Sequence, residues 1–152
     1  MRSHPKIPPL AVTLAAAALM WLLARASPAP EFVLPARGAL ALGLMLAGAG
    51  IALAAVLAFR RAGTTVNPLA PERTSSLVVQ GVYRLSRHPM YLGMTLILLG
   101  WAVWLANVSA LAVLPAFIAC IDRFQIAPEE ASMARLFGGD FLAYKARTRR
   151  WL

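Results

Sequence analysis

Two short stretches hold the side chains able to do chemistry. The first is Gly81-Val82-Tyr83-Arg84-Leu85-Ser86-Arg87-His88-Pro89-Met90-Tyr91-Leu92-Gly93, and the second is Pro128-Glu129-Glu130. Between them, from Met90 to Ile121, no residue carries a charge. On a helix, adjacent Glu129 and Glu130 point about 100° apart and require different partners. Ionised carboxylates at a membrane surface are costly unless paired or hydrogen-bonded. Arg87 is the right type of counter-charge, and His88 and Tyr91 offer further polar contacts. If the two stretches meet, they form a polar site able to hold a small charged cofactor where water gives way to an apolar medium. Each residue also has an ordinary reading. Acids in a first helical turn complement the helix dipole. Arg84 and Arg87 can anchor a membrane span, and Tyr83 and Tyr91 can sit in an interfacial belt.

The elements that would position these residues are membrane spans. Hydrophobic residues make up 60% of the 152-residue chain and charged residues only 14%, against about 45–50% and 25% in soluble domains. Mean hydropathy is +0.67, and the excess is gathered into long uncharged blocks. A soluble fold of this length has no interior large enough to hide them, so an all-α integral membrane protein of about four transmembrane helices is expected.

The first block follows a short basic N-terminus and predicts a span from about residue 7 to 26. Ala24-Arg25-Ala26 imitates a signal-peptide cleavage site, but arginine is unusual there, and a retained span is expected. Ser27-Pro28-Ala29-Pro30-Glu31 breaks the helix. A second span is expected over about 38–59, where Ala47, Gly48 and Ala49 permit close approach of another helix, and Arg60-Arg61 ends it. Residues 62–80 are polar and long for so small a protein, which suggests function; with the motif they form a candidate cofactor-binding loop over 62–93. The uncharged run is too long for one span and short for two. Asn107-Val108-Ser109 offers a turn, giving a hairpin of spans near 90–106 and 109–126, with a kink at Pro115 and an exit at Asp122-Arg123. Pro128 then opens a helical segment over 128–150, with Met133, Leu136, Phe137, Phe141 and Tyr144 at helical spacing and Gly138-Gly139 as a bend.

The formal net charge of +9 does not indicate nucleic acid, since no recognition motif accompanies it. The basic residues flank the apolar blocks and fill the C-terminus. Four spans place both termini, the loop with Arg60, Arg61, Arg73, Arg84 and Arg87, and the tail with Lys145, Arg147, Arg149 and Arg150 on one side. The other connection holds only Arg25 and Arg37 against Glu31. That asymmetry predicts a cytoplasmic basic side, carrying both polar stretches. Cys120 is the single cysteine, so no intrachain disulfide forms, and no zinc-ligand spacing exists.

Taken together, Gly81-x-Tyr83-Arg84-x-x-Arg87-His88-Pro89-x-Tyr91-x-Gly93, the later Glu129-Glu130 and Phe137-Gly138 resemble the isoprenylcysteine carboxyl methyltransferase and phospholipid methyltransferase superfamily. Asn67-Pro68, Leu77-Val78, Tyr144 and Arg150-Trp151 look like the same pattern, so the resemblance covers about residues 60 to 152. It implies a single membrane domain that uses S-adenosyl-L-methionine, and the short, Ala-rich chain suggests a small bacterial member placed in the inner membrane. By the same resemblance, cofactor binding falls on Val78, Gly81, Tyr83, Arg87, His88, Pro89, Tyr91, Leu92, Gly93, Glu129 and Glu130. His88, Glu129 and Glu130 are the candidate catalytic residues.

The residue types suit that cofactor. An arginine suits its carboxylate, a carboxylate its ammonium or ribose diol, and Tyr91, Leu92 or Val78 its adenine. Methyl transfer from a sulfonium needs mainly positioning, and an amine acceptor would lose a proton to His88 or a glutamate. The acceptor expected is a lipophilic or small hydrophobic molecule arriving from the bilayer, with a carboxylate, thiol or amine to methylate. Two other readings compete: a membrane reductase using a nicotinamide cofactor, and a non-catalytic scaffold or lipid-binding protein.

Overall fold

A computed structural model describes residues 7–26, 32–63 and 75–152. Among these residues the chain is helical and has no strand, and it is an all-α membrane protein. The helices are α1 (Pro9–Ala26), α2 (Arg37–Arg61), α3 (Pro89–Leu105), α4 (Val108–Leu111), α5 (Val113–Ile121) and α6 (Ala127–Arg147), with a 3₁₀ turn at Gly81–Arg84 and a π-helical turn at Asp122–Ile126. α1, α2 and the stretch Val108–Arg147 are long and apolar enough to cross a membrane, and α3 is a shorter apolar helix. Leu10, Leu14, Leu42, Leu46 and Leu53 stay exposed, as expected of helices whose outer faces meet lipid rather than water. The proline-rich break at 27–31, Asn67-Pro68, Glu72-Arg73 and the basic N-terminal residues lie outside the described residues.

Glycine sets how closely α2 and α3 pack. A Cβ on Gly48 would stand 2.5 Å from the Gly93 carbonyl oxygen, and one on Gly93 would stand 2.5 Å from the Gly48 carbonyl oxygen. Gly100 likewise faces the Ala41 carbonyl oxygen at 2.7 Å. Of the three small residues expected at this contact, Gly48 is the buried one, while Ala47 and Ala49 face outward. α1 closes the other side of α3: Met20 joins Leu98, Ala102 and Phe117 in the core, and Trp101 Nε1 donates to the Ala17 carbonyl at 3.1 Å.

The turn expected near Asn107 is present. Ala106 is left-handed (φ 53°), and Asn107 Oδ1 accepts from the Ser109 N–H at 2.9 Å, capping α4. The helix is interrupted at Ala112, just before Pro115, whose missing N–H and ring disturb the turn preceding it. One boundary differs from the expectation. The helix does not exit at Asp122-Arg123 and restart at Pro128; the chain stays helical through a π-turn in which the Ala127 N–H donates to the Asp122 carbonyl. Glu129 and Glu130 therefore do not sit at a free helix start, and the dipole reading of these acids loses its basis.

α6 bends at Gly138 (φ 47°, ψ −119°), within the pair expected to bend. Its inner face carries Glu130, Phe141 and Tyr144 with Met133 and Phe137 beside them, against Phe59, Val78 and Tyr83. Leu136, expected on the same stripe, is exposed. The Tyr144 hydroxyl donates to the Tyr83 carbonyl at 2.6 Å, tying α6 to the 3₁₀ turn.

Candidate active site

The π-turn and the bend of α6 bring Glu129 and Glu130 against the Arg87-His88 junction that opens α3. Pro89 is the first residue of α3 and is fully buried. His88 precedes it in a non-helical conformation (φ −128°, ψ 58°), because a residue before proline is barred from the helical region. That geometry turns Arg87 and His88 toward α6. The His88 N–H donates to Ser86 Oγ at 3.1 Å, which fixes the junction.

Glu130 is the centre of charge. Its Oε1 accepts from Arg87 Nε (3.0 Å) and Nη2 (2.8 Å), and from Arg150 Nε (3.3 Å). Its Oε2 accepts from Arg150 Nη2 at 2.7 Å, and Lys145 Nζ lies 3.8 Å away. His88 Nε2 stands 3.3 Å from Oε1. Burial alone would raise the Glu130 pKa, but hydrogen bonds from His88, Arg150 and Arg87 outweigh it and hold the carboxyl well below the usual range. A carboxylate only accepts, so His88 Nε2 carries a proton toward it.

Glu129 is treated differently. The Tyr91 hydroxyl donates to its Oε2 at 3.1 Å, and His88 Nδ1 is 3.9 Å from the same oxygen. No arginine is within ion-pair distance of it among the described residues. Burial raises its pKa, the charge of His88 and the Tyr91 bond oppose that, and Glu130 adds to it; the balance is upward. Two adjacent carboxyls pushed in opposite directions mark distinct roles. Tyr91 also stacks on His88, with ring centroids 5.8 Å apart.

A small cavity of about 30 Å³ lies between Phe59, Val78, Tyr83, Arg87, His88, Glu129, Glu130, Met133 and Tyr144. Leu77 and Val78 line it and also line a neighbouring cleft of about 500 Å³ bounded by Ala58, Arg61, Ser76, Gln80 and Gly81. Burial holds the Tyr83 and Tyr144 hydroxyls neutral by raising their pKa values.

The structure thus brings Arg87, His88, Tyr91, Glu129 and Glu130 together, with Tyr83 and Val78 beside them and Gly81 on the adjoining cleft. Pro89 shapes the junction from within the core. Leu92 and Gly93 do not line the small cavity; Gly93 serves the α2–α3 contact. Arg87 is engaged mostly within the protein. Four of its five N–H donors are engaged, two by Glu130 and two by the carbonyls of Lys145 and Thr148. Sequence reasoning missed Asp122, read as a helix exit, and gave Arg150 no site role, reading it as part of a basic tail and of the family pattern. Arg150 Nη1 contacts both Asp122 oxygens at 3.1 and 3.0 Å. A lone acid ending a long uncharged run was the available signal.

Fold and site define an integral membrane protein built of helices, with a partly buried ion-pair cluster centred on Glu130. The chain belongs to the phospholipid methyltransferase family, whose profile matches residues 36–140; this bears out the expected superfamily. It is 46% identical over 63 residues to an uncharacterised protein of Haemophilus influenzae, a match covering 41% of this chain and all of that protein. It is 35% identical over 105 residues to protein-S-isoprenylcysteine O-methyltransferase A of Arabidopsis thaliana, covering 66% of this chain. The match spans about half of the plant protein, 51% of its length.

Proposed function

We propose that the protein is an S-adenosyl-L-methionine-dependent methyltransferase acting on a lipophilic or small hydrophobic acceptor that reaches the site from the bilayer. The observation that carries this reading is Glu129. It is a carboxylate held by Tyr91 and placed next to His88, without an arginine partner among the described residues, at the edge of an apolar-walled cavity. Such a group is suited to a cationic or hydroxyl-bearing ligand, and the ring of Tyr83, which lines the cavity, adds a face favourable to a cation. When bound, S-adenosylmethionine supplies a methyl group on a sulfonium sulfur. Glu129 and Tyr91 would meet its charged end. The larger cleft past Leu77 and Val78, within the usual ~300–1,000 Å³ range of small-molecule sites, has room for the nucleoside. Arg87, spent on Glu130, orients the site rather than binding the cofactor's carboxylate.

His88 Nδ1 is the atom able to take a proton from an amine acceptor, with Glu129 beside it to stabilise the resulting charge. An anionic acceptor would need no base. The test is thermal stabilisation of detergent-purified protein by S-adenosylhomocysteine, with a reduced nicotinamide cofactor in parallel. A ligand that binds only the folded state raises Tm by mass action. The expected result is a shift with S-adenosylhomocysteine that is lost in Glu129→Gln. A shift with the nicotinamide alone would make the protein a reductase, and no shift with either would favour a non-catalytic scaffold.

A further inference from the structure

The segment after α6 lies beyond the residues that match the family profile, yet it is bonded into the site. The Arg87 N–H donates to the Arg149 carbonyl at 3.0 Å, and Ser86 Oγ donates to the Arg150 carbonyl at 3.1 Å. Arg87 Nη1 also donates to the Thr148 carbonyl. The Arg150 side chain then reaches back with both edges of its guanidinium. Nη1 holds Asp122, while Nε and Nη2 hold Glu130.

The π-turn makes this bridge possible. In a regular α-helix, residues eight apart are roughly 80° out of register at ~100° per residue. A π-turn absorbs one residue and cuts the offset between Asp122 and Glu130 to roughly 20°, so one planar guanidinium spans both. Such turns occur often at functional sites. Lysine, a point charge without a fork, cannot hold the two carboxylates in this way.

We propose that Arg150 is a positioning residue of the active site: bridging Asp122 and Glu130, it fixes the Glu130 carboxylate on Arg87 and His88, so that Glu129 is the carboxylate presented to the ligand. The inference rests on the methyltransferase reading. Arg150 and Asp122 are about one-third exposed, whereas the Glu130 side chain is 6% exposed. The Asp122 half is therefore a surface ion pair of small worth to stability, and the bridge acts through the geometry of Glu130. Arg87, His88, Glu129, Lys145 and Arg150 are the charged or titratable groups around that carboxylate.

The experiment is S-adenosylhomocysteine binding to full-length protein in detergent, by calorimetry, across a cycle of Arg150→Ala, Glu130→Gln and the double variant. Arg150→Ala is expected to weaken binding about tenfold, equivalent to ~1.4 kcal/mol, with partial recovery in Arg150→Lys and recovery by millimolar guanidinium ion. In the Glu130→Gln background the Arg150 change is expected to add little, since residues acting through one contact are non-additive. A role confined to anchoring the tail would show no guanidinium rescue and full additivity, and either result overturns the proposal. Should Arg150→Ala not fold, Asp122→Asn keeps the test open: it is expected to weaken binding severalfold without lowering Tm, and unchanged affinity would overturn the proposal. Wild-type protein that fails to bind removes the methyltransferase reading and this inference together. Wild-type binding that Arg150→Ala retains in full removes only the inference.

Discussion

At Glu129 and Glu130, one peptide bond separates two carboxyl groups with opposite electrostatic fates. Glu130 is ionised because Arg87, Arg150 and His88 converge on it, and its depressed pKa contributes stability that is present above its ordinary value of 4.5 and lost as pH falls through the folded value. Glu130→Gln leaves Arg87, whose side chain is 8% exposed, without its counter-charge. Breaking such a pair costs on the order of 3–5 kcal/mol, so a large fall in Tm at neutral pH is expected in a melting experiment. Glu129 behaves in the reverse sense. Its raised pKa means the fold favours the neutral carboxyl, a contribution present below 4.5 and lost as pH rises through the folded value. Glu129→Gln is therefore expected to melt higher than wild type by a margin that grows above pH 4.5, while losing ligand binding. A Tm difference independent of pH would contradict the assignment. A gain in stability with loss of function is the pattern of a group retained for its activity. Both glutamates were legible as a pair in the sequence. Their division of labour was not, because it depends on arginines and a histidine brought from distant positions.

At the scale of elements, glycines and a π-turn decide where the site stands. The carbonyl of Gly93 touches the place a Cβ of Gly48 would occupy, so α2 and α3 are in near backbone contact. Gly93→Ala is expected to force the helices apart at a cost of ~1–3 kcal/mol, the usual range for overpacking, seen as a lower Tm. Gly43→Ala, which meets nothing within 4 Å, is the control and should leave Tm unchanged or slightly raised. The hairpin turn at Asn107 and the bend at Gly138 were readable from residue types, since both rely on local chemistry. The π-turn was hidden because Asp122-Arg123-Phe124-Gln125-Ile126 has no composition that separates a widened helical turn from a helix end. Pro128 favours either, as it needs no N–H donor at that position.

Across the whole molecule, the site end and the far end differ in charge. Arg60 and Arg61 end α2, Arg84 lies in the 3₁₀ turn, and Arg87, Lys145 and Arg150 stand at the cluster, while Arg25 at the end of α1 and Arg37 at the start of α2 belong to the far end, where the Phe32 N–H meets the Ala106 carbonyl. The positive-inside rule then predicts that the site faces the cytoplasm. In a Cys120→Ser background, a cysteine at Val33, which is 96% exposed, is expected to react with a membrane-impermeant maleimide applied outside intact cells. A cysteine at exposed Ala146 should react only after lysis, and the reverse pattern would invert the orientation. The sequence by itself determined the class, since uncharged blocks of this length have no stable place in water. It also determined which chemical groups were available, since Arg87, His88, Tyr91, Glu129 and Glu130 could be singled out by type. Only the tertiary structure decided that Gly93 belongs to a helix contact, that Arg87 is spent on Glu130, and that Asp122 and Arg150 complete the cluster. Those outcomes turn on contacts between residues 20 or more positions apart, whose partners no local pattern encodes.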